Sequence, residues 1–190
     1  MKAHHLFLAT AGLLLAACSK PEKQTAAPAA DAAAATADKP APAAEPEAFA
    51  SPFMEKLASH MVGGDGEAVD PRDYNGAKQT LLYFSASWCG PCKAFTPKLM
   101  EAYYTLRSAG IQVVLAGRDK TKEDMLSYMT SFSHPWPGIA PELQGDKTVD
   151  FADFQEDGIP SLALIEADGT LVKKGIAPKL LEEILGDLGN

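Results

Sequence analysis

Cysteine is scarce in this chain, and positive charge is in deficit. Three cysteines among 190 residues are too few for a small domain stapled by disulfides. Seventeen Lys and Arg against 25 Asp and Glu leave a formal charge of −8. That balance argues against nucleic acid as a partner, because phosphate binding wants a basic face. From Ser51 onward the chain holds two histidines, His60 and His134, and one C-x-x-C pair, Cys89 and Cys92. Neither an H-x₃₋₅-H spacing nor a second C-x-x-C accompanies them, so the four ligands of a structural zinc site are not assembled. No metal and no cofactor is expected, and both histidines are expected on the surface or in loops.

The N-terminus lacks the length to span a bilayer as a mature helix. A short start with one lysine precedes a run from Leu6 to Ala17 that is apolar or small throughout, the pattern of a cationic n-region and an h-region. On its own it reads as a secretory signal or a buried helix. Leu15-Ala16-Ala17-Cys18, however, resembles a bacterial lipobox. The resemblance implies a signal peptide over residues 1–17, cleavage before Cys18 and lipidation of that cysteine. Several acyl chains on one residue would anchor stably, since each buried methylene adds about 0.8 kcal/mol. Ser19 in place of an aspartate favours the outer membrane over the inner, by the sorting rule of enteric bacteria. The expected location is the cell envelope, lipid-anchored, with the domain in the periplasm.

Residues 19–50 are dominated by alanine and proline, with no aromatic residue before Phe49. Such a segment buries too little apolar surface to offset its ordering entropy, and its five prolines interrupt any helix the alanines start. Residues 18–50 therefore read as an acylated cysteine followed by a tether. Its reach is roughly 30 Å as a coil and up to about 100 Å if fully extended.

Residues 51–190 have the composition of a packed domain. Phe53, Leu57 and Met61 suggest a helix over 53–61, and Gly63-Gly64-Asp65-Gly66 a turn. Gln79–Ala86 is an apolar, aromatic-rich run suited to a strand buried on both faces. Phe95, Leu99, Tyr103 and Leu106 recur at helical spacing until Gly110. Ile111–Ala116 reads as a second buried strand. Thr121–Phe132 reads as a helix, with Asp119 or Thr121 as its cap. Residues 133–144 show no period and read as a loop with at most one helical turn; 149–154 reads as a short helix. Ser161–Glu166 and Leu171–Lys174, joined by Ala167-Asp168-Gly169-Thr170, form a hairpin, and Leu180–Leu188 a closing helix. Strands alternating with helices and ending in a hairpin and helix argue for an α/β domain with a mixed sheet.

The pair in "ASWCGPCKAF" (residues 86–95) is a poor permanent staple, because so small a loop gains little from closure. Where a buried strand turns into a helix, Cys89 would occupy the helix N-terminus. Unpaired N–H groups and the positive dipole end stabilise a thiolate there, pulling its pKa below the free value of about 8.5. Pro91 is pre-set for the first turn, and Gly90 lets a partner approach closely. Cys92, three residues on, shares the helix face and is more buried. Cys89 is thus the candidate nucleophile, attacking a substrate disulfide. Cys92 is the candidate resolving thiol, displacing the substrate from the mixed disulfide. Trp88 would shield the pair and offer a flat apolar contact, or be plain core.

Trp88-Cys89-Gly90-Pro91-Cys92-Lys93 resembles the active-site motif of thioredoxins, and Pro97 resembles the proline that kinks their active-site helix. Gly158-Ile159-Pro160-Ser161 resembles the loop that carries the family's cis-proline. The resemblance implies that Pro160 sits opposite the cysteines, presents the Ile159 backbone to an extended substrate and hinders metal capture. Tyr83 to Cys89 (YFSASWC), Phe95-Thr96-Pro97 and Pro135-Trp136 are similar to tryparedoxins and nucleoredoxins. The resemblance covers roughly residues 54–185. It implies a thioredoxin-like fold, a central mixed sheet flanked by helices, with a redox-active Cys89–Cys92 disulfide. Two departures stand out. Tryparedoxins usually carry two prolines between the cysteines, where this chain has Gly90-Pro91. Thioredoxins carry a buried aspartate six residues before the first cysteine, where this chain has Tyr83. Asp119 and Glu142 are substitutes by rough position, although each reads first as a cap or a solvated group.

The leading expectation is a membrane-anchored, extracytoplasmic reductase of protein disulfides, a monomer, with a potential nearer about −270 mV than about −120 mV. It would need an electron-donor protein, for which a membrane thiol transporter is the candidate, because the sequence shows no second redox domain. An oxidase or isomerase is the alternative that location favours. A non-catalytic binding module is kept open by Tyr83 and by the loop around Trp136. Trp136, Pro137 and Ile139 read equally as an apolar rim near Pro160 and as core.

Overall fold

The computed structural model describes residues 51–144 and 150–189. The expectations for the leader, for Cys18 and for the tether lie outside the described residues, as does Val149.

Helix α1, Pro52–Ala58, is capped by Ser51, whose hydroxyl accepts from the Met54 amide. It is shorter than its apolar spacing suggests. Met61 leaves the helix and opens β1, Met61–Val62, so its apolar side chain serves a sheet edge. A 3₁₀ turn at Pro71–Tyr74, unforeseen from the sequence, leads into β2, Gln79–Ser85. Helix α2, Gly90–Ser108, closes at Gly110, whose φ of +85° is a left-handed backbone that favours glycine. Strand β3 is Ile111–Gly117, and α3 is Lys122–Phe132. Residues 133–144 hold the one helical turn expected, a 3₁₀ turn at Pro141–Leu143, and also a short strand that was not, β4, Gly138–Ile139. A two-residue strand carries too few side chains to show a period of two. The helix expected over 149–154 is absent from 150–154, where Phe151 starts a single hydrogen-bonded turn. Strands β5, Ser161–Glu166, and β6, Leu171–Ile176, form the hairpin. Helix α4, Ala177–Leu188, begins directly at its end.

The six strands make one mixed sheet in the order β1-β4-β3-β2-β5-β6, the α/β architecture expected. β2 runs parallel to β3 over its full length and antiparallel to β5. This central strand is buried almost throughout, and alternation divides its side chains between two cores. Leu81 and Tyr83 join the core filled from α2, α3 and α4, while Leu82 and Phe84 join the core filled from α1 and Phe151. The end of β2 is therefore held from both faces, and the cysteine pair is mounted there.

Candidate redox site

The turn between β2 and α2 is tied to the residues that follow β3. The Arg118 amide donates to the Ser85 carbonyl at 2.7 Å, and the Cys89 amide donates to the Ala86 carbonyl at 3.2 Å. Asp119 Oδ1 accepts from the Ser87 amide at 2.9 Å. The Trp88 indole N–H donates to the Arg118 carbonyl at 3.2 Å, and the rest of that side chain lies open, 65 % exposed. Trp88 is therefore not core; it stands beside the pair as an apolar surface.

Cys89 is the N-cap of α2. Its backbone is extended, and its Sγ accepts from the Cys92 amide at 3.1 Å. A cap here normally supplies a side-chain oxygen to satisfy a first-turn N–H; sulfur fills that role. Pro91 occupies the first turn, where its missing N–H costs nothing. Cys89 and Cys92 are joined by a disulfide. Their burial differs as the spacing suggested: Cys89 is 5 % exposed and Cys92 fully buried. Pro97 lies inside α2, where it denies the Lys93 carbonyl its usual helical donor.

The Ile159–Pro160 peptide is cis, and the Ile159 carbonyl oxygen lies 3.9 Å from Cys89 Sγ. Ile159 packs on the small cluster of Ala86, Cys89 and Cys92. Pro160 is held from behind, its carbonyl accepting from the Ala177 amide at 3.1 Å. The two stretches expected to face each other, 88–92 and 158–161, are brought together.

Beneath Cys92, where a carboxylate was missing from the sequence, lie four buried hydroxyls from Tyr83, Ser85, Thr96 and Tyr128. Tyr83 Oη donates to the Cys92 carbonyl at 3.3 Å and lies 3.0 Å from Thr96 Oγ1. Burial, with Tyr128 close by, pushes the Tyr83 phenol well above its ordinary range, so it stays neutral. Sequence reasoning missed the other three. Two were accessible to it: Ser85 lies two residues beyond Tyr83 on the same strand face, and Thr96 lies one helical turn beyond Cys92. Nothing local marks Tyr128.

Of the two carboxylates offered as substitutes, Glu142 is the exposed, cap-like group it reads as first, and Asp119 is not. Glu142 accepts from the Lys122 amide at 2.8 Å, beside the cap supplied by Thr121. Asp119 caps nothing. It is buried under the active-site turn, with Oδ2 lacking a partner. His134 lies in the loop after α3, one of the two places expected for it, and is half-buried there. It packs against Tyr128 and Trp136, with ring centroids 4.9 Å away in each case, and burial lowers its pKa to about 4. Trp136, Pro137 and Ile139 are all buried. Trp136 packs edge-on against Tyr83, so the core reading of this loop holds and the rim reading does not.

Known proteins carry the same framework. A family model described as thioredoxin-like matches residues 76–171. Probable nucleoredoxin 1 of Arabidopsis thaliana is 38 % identical over 117 residues, covering 60 % of this chain and 19 % of that protein. Human nucleoredoxin is 24 % identical over 125 residues, covering 65 % and 28 %. This chain thus spans about a fifth to a third of the length of the curated relatives it matches. Among solved structures, tryparedoxin I of Crithidia fasciculata is 28 % identical with a TM-score of 0.55, covering 70 % of this chain and 93 % of that one. The tryparedoxin of Trypanosoma brucei is 30 % identical with a TM-score of 0.54, covering 70 % and 92 %. With its paired cysteines at a helix start and a proline loop facing them, the chain belongs to the thioredoxin-like family, beside the tryparedoxins and nucleoredoxins, and its folded part is a thioredoxin-like redox domain.

Proposed function

We propose that the protein reduces protein disulfides outside the cytoplasm while tethered to a membrane through Cys18. The observation that carries the redox part is the placement of Cys89 Sγ. It accepts the Cys92 amide at the start of α2 and stands 3.9 Å from the Ile159 carbonyl. A negative sulfur is favoured by the first and reached by a substrate strand laid along the second. The Cys89 thiolate attacks one sulfur of the substrate disulfide. That bond breaks, one substrate thiolate leaves, and a mixed disulfide forms. Cys92 gives up its proton, attacks Cys89 Sγ and releases the second substrate thiolate. Two electrons pass to the substrate, and the Cys89–Cys92 disulfide remains. Turnover requires a donor protein to return two electrons, and a membrane thiol transporter is the class of partner that an envelope location implies. The anchored location rests on the lipobox-like Leu15–Cys18 and the Ala/Pro-rich segment behind it.

Insulin reduction in the presence of dithiothreitol tests the activity. The parent is expected to accelerate it and Cys89→Ser to abolish the acceleration; equal rates would refute catalysis. Equilibration with glutathione tests the direction, because a potential above about −180 mV defeats the reductase reading. Cys92→Ser should hold its substrates as mixed disulfides on Cys89 for identification by mass spectrometry.

A further inference from the structure

Four hydroxyl oxygens close a ring under the first turn of α2. Ser85 Oγ donates to Tyr83 Oη at 3.0 Å and lies 3.0 Å from Tyr128 Oη. Tyr128 Oη is 2.6 Å from Thr96 Oγ1, which is 3.0 Å from Tyr83 Oη. The ring has two exits, and both lead to the Cys92 carbonyl: Tyr83 Oη at 3.3 Å and Thr96 Oγ1 at 3.0 Å. All four side chains are buried. Each hydroxyl has one proton to donate and two lone pairs to accept with. The contacts outnumber the protons, so the Cys92 carbonyl draws its donors from a shared set. Such a set satisfies itself without any ion, and its bonds reinforce one another in a low dielectric.

The ring's members come from β2, α2 and α3. It therefore ties the backbone of Cys92 to the strand on one side and to a neighbouring helix on the other. The same residue's amide reaches Cys89 Sγ. Displacement at a disulfide demands that the attacking sulfur be placed correctly against the sulfur it attacks, and small misplacements are costly.

We propose that the Tyr83–Ser85–Tyr128–Thr96 hydroxyl ring positions Cys92 for the resolving step, by clamping its carbonyl from two hydroxyls and fixing the turn from which its sulfur attacks Cys89. This deepens the dithiol reading above and rests on it. The ring acts through the Cys92 backbone, so its members are positioning residues rather than catalytic ones.

A small disulfide separates the two steps. Cys18→Ser protein, reduced and mixed rapidly with dithiobis-nitrobenzoate, should release thionitrobenzoate in two phases. In the first, the Cys89 thiolate breaks the reagent's disulfide and one thionitrobenzoate leaves. In the second, Cys92 loses its proton to solvent and attacks Cys89 Sγ, and the second thionitrobenzoate leaves with the remaining electrons. Thr96→Val and Tyr128→Phe are each expected to slow the second phase about tenfold and leave the first within about twofold, while Thr96→Ser restores the parent second phase. A merely structural role would slow both phases together or neither, and either result overturns the proposal. A parent that releases a single equivalent overturns the dithiol reading and the ring's role with it. A parent that gives two phases with the expected variant pattern, yet fails to reduce insulin, leaves the ring's role standing and refutes protein-disulfide reduction.

Discussion

Asp119 Oδ1 accepts a 2.9 Å hydrogen bond from the amide of Ser87, two positions before Cys89. The carboxylate is buried and belongs to the residues that follow β3, so it pins the cysteine turn to a different strand. Asp119→Ala leaves the Ser87 N–H without its acceptor. The expected cost is about 1–3 kcal/mol, read from urea unfolding. Hydrogen exchange locates the effect: the Ser87 amide should exchange faster while the Asp124 amide, capped by Thr121, stays protected. The opposite pattern would mean that Asp119 serves α3 after all.

The two tryptophans of this chain predict opposite outcomes. Trp136 is 2 % exposed, packed between Tyr83 and Tyr103 and against His134. Trp136→Ala should cost about 3–5 kcal/mol of stability. Trp88 is open to solvent apart from its one hydrogen bond to the Arg118 carbonyl. Trp88→Ala should leave stability within about 0.5 kcal/mol. It should weaken kcat/KM toward a protein disulfide by about 2 kcal/mol, the scale of an aromatic contact at a binding surface. Urea midpoints and insulin kinetics on both variants decide the matter. Were the two results exchanged, the assignment of core and contact surface would be wrong.

These two residues also mark what was legible beforehand. The C-G-P-C pair, the buried strand before it and the helical spacing after it are local patterns, and each formed where expected. Residues whose role depends on distant chain were not legible. Trp136 sits in a stretch without period, and only the pairing of β4 with β1 and β3 turns that stretch inward. Asp119 looked like a cap because Thr121 and a helix follow it; the parallel pairing of β2 and β3 instead delivers it to the cysteine turn. Tyr83 was read as the loss of a carboxylate. Its partners come from β2, α2 and α3, so the hydroxyl ring that takes that place has no single-segment signature.

Exposure and capping predict unequal reactivity of the two thiols once the disulfide is reduced. Cys89 Sγ is the cap of α2 and is partly accessible, while Cys92 is fully buried. Near pH 7, iodoacetamide should modify Cys89 alone, with a thiol pKa below the free value of about 8.5. Peptide mass after timed alkylation across pH measures both. Equal labelling of the two cysteines, or a midpoint for Cys89 at the free value, would remove the basis for calling it the nucleophile.

His134 makes stability depend on pH below neutrality. Its ring lies among Tyr128, Phe132 and Trp136, and neither ring nitrogen has a hydrogen-bond partner. Burial lowers its pKa from 6.5 to about 4. The folded state therefore favours the neutral ring, and the unfolded chain binds the proton more readily. Between those two values the unfolded state carries more protons, so stability rises with pH. The contribution is complete above about pH 6.5, is lost as pH falls, and levels off below about pH 4. A shift of this size corresponds to about 3 kcal/mol across the window. His134→Phe keeps an aromatic ring in the cluster and removes the titration. Urea midpoints between pH 4 and 7 should fall steeply with acid for the parent and less steeply for the variant. Parallel slopes would mean that the His134 ring is hydrated in the folded protein and titrates as it does in the unfolded chain.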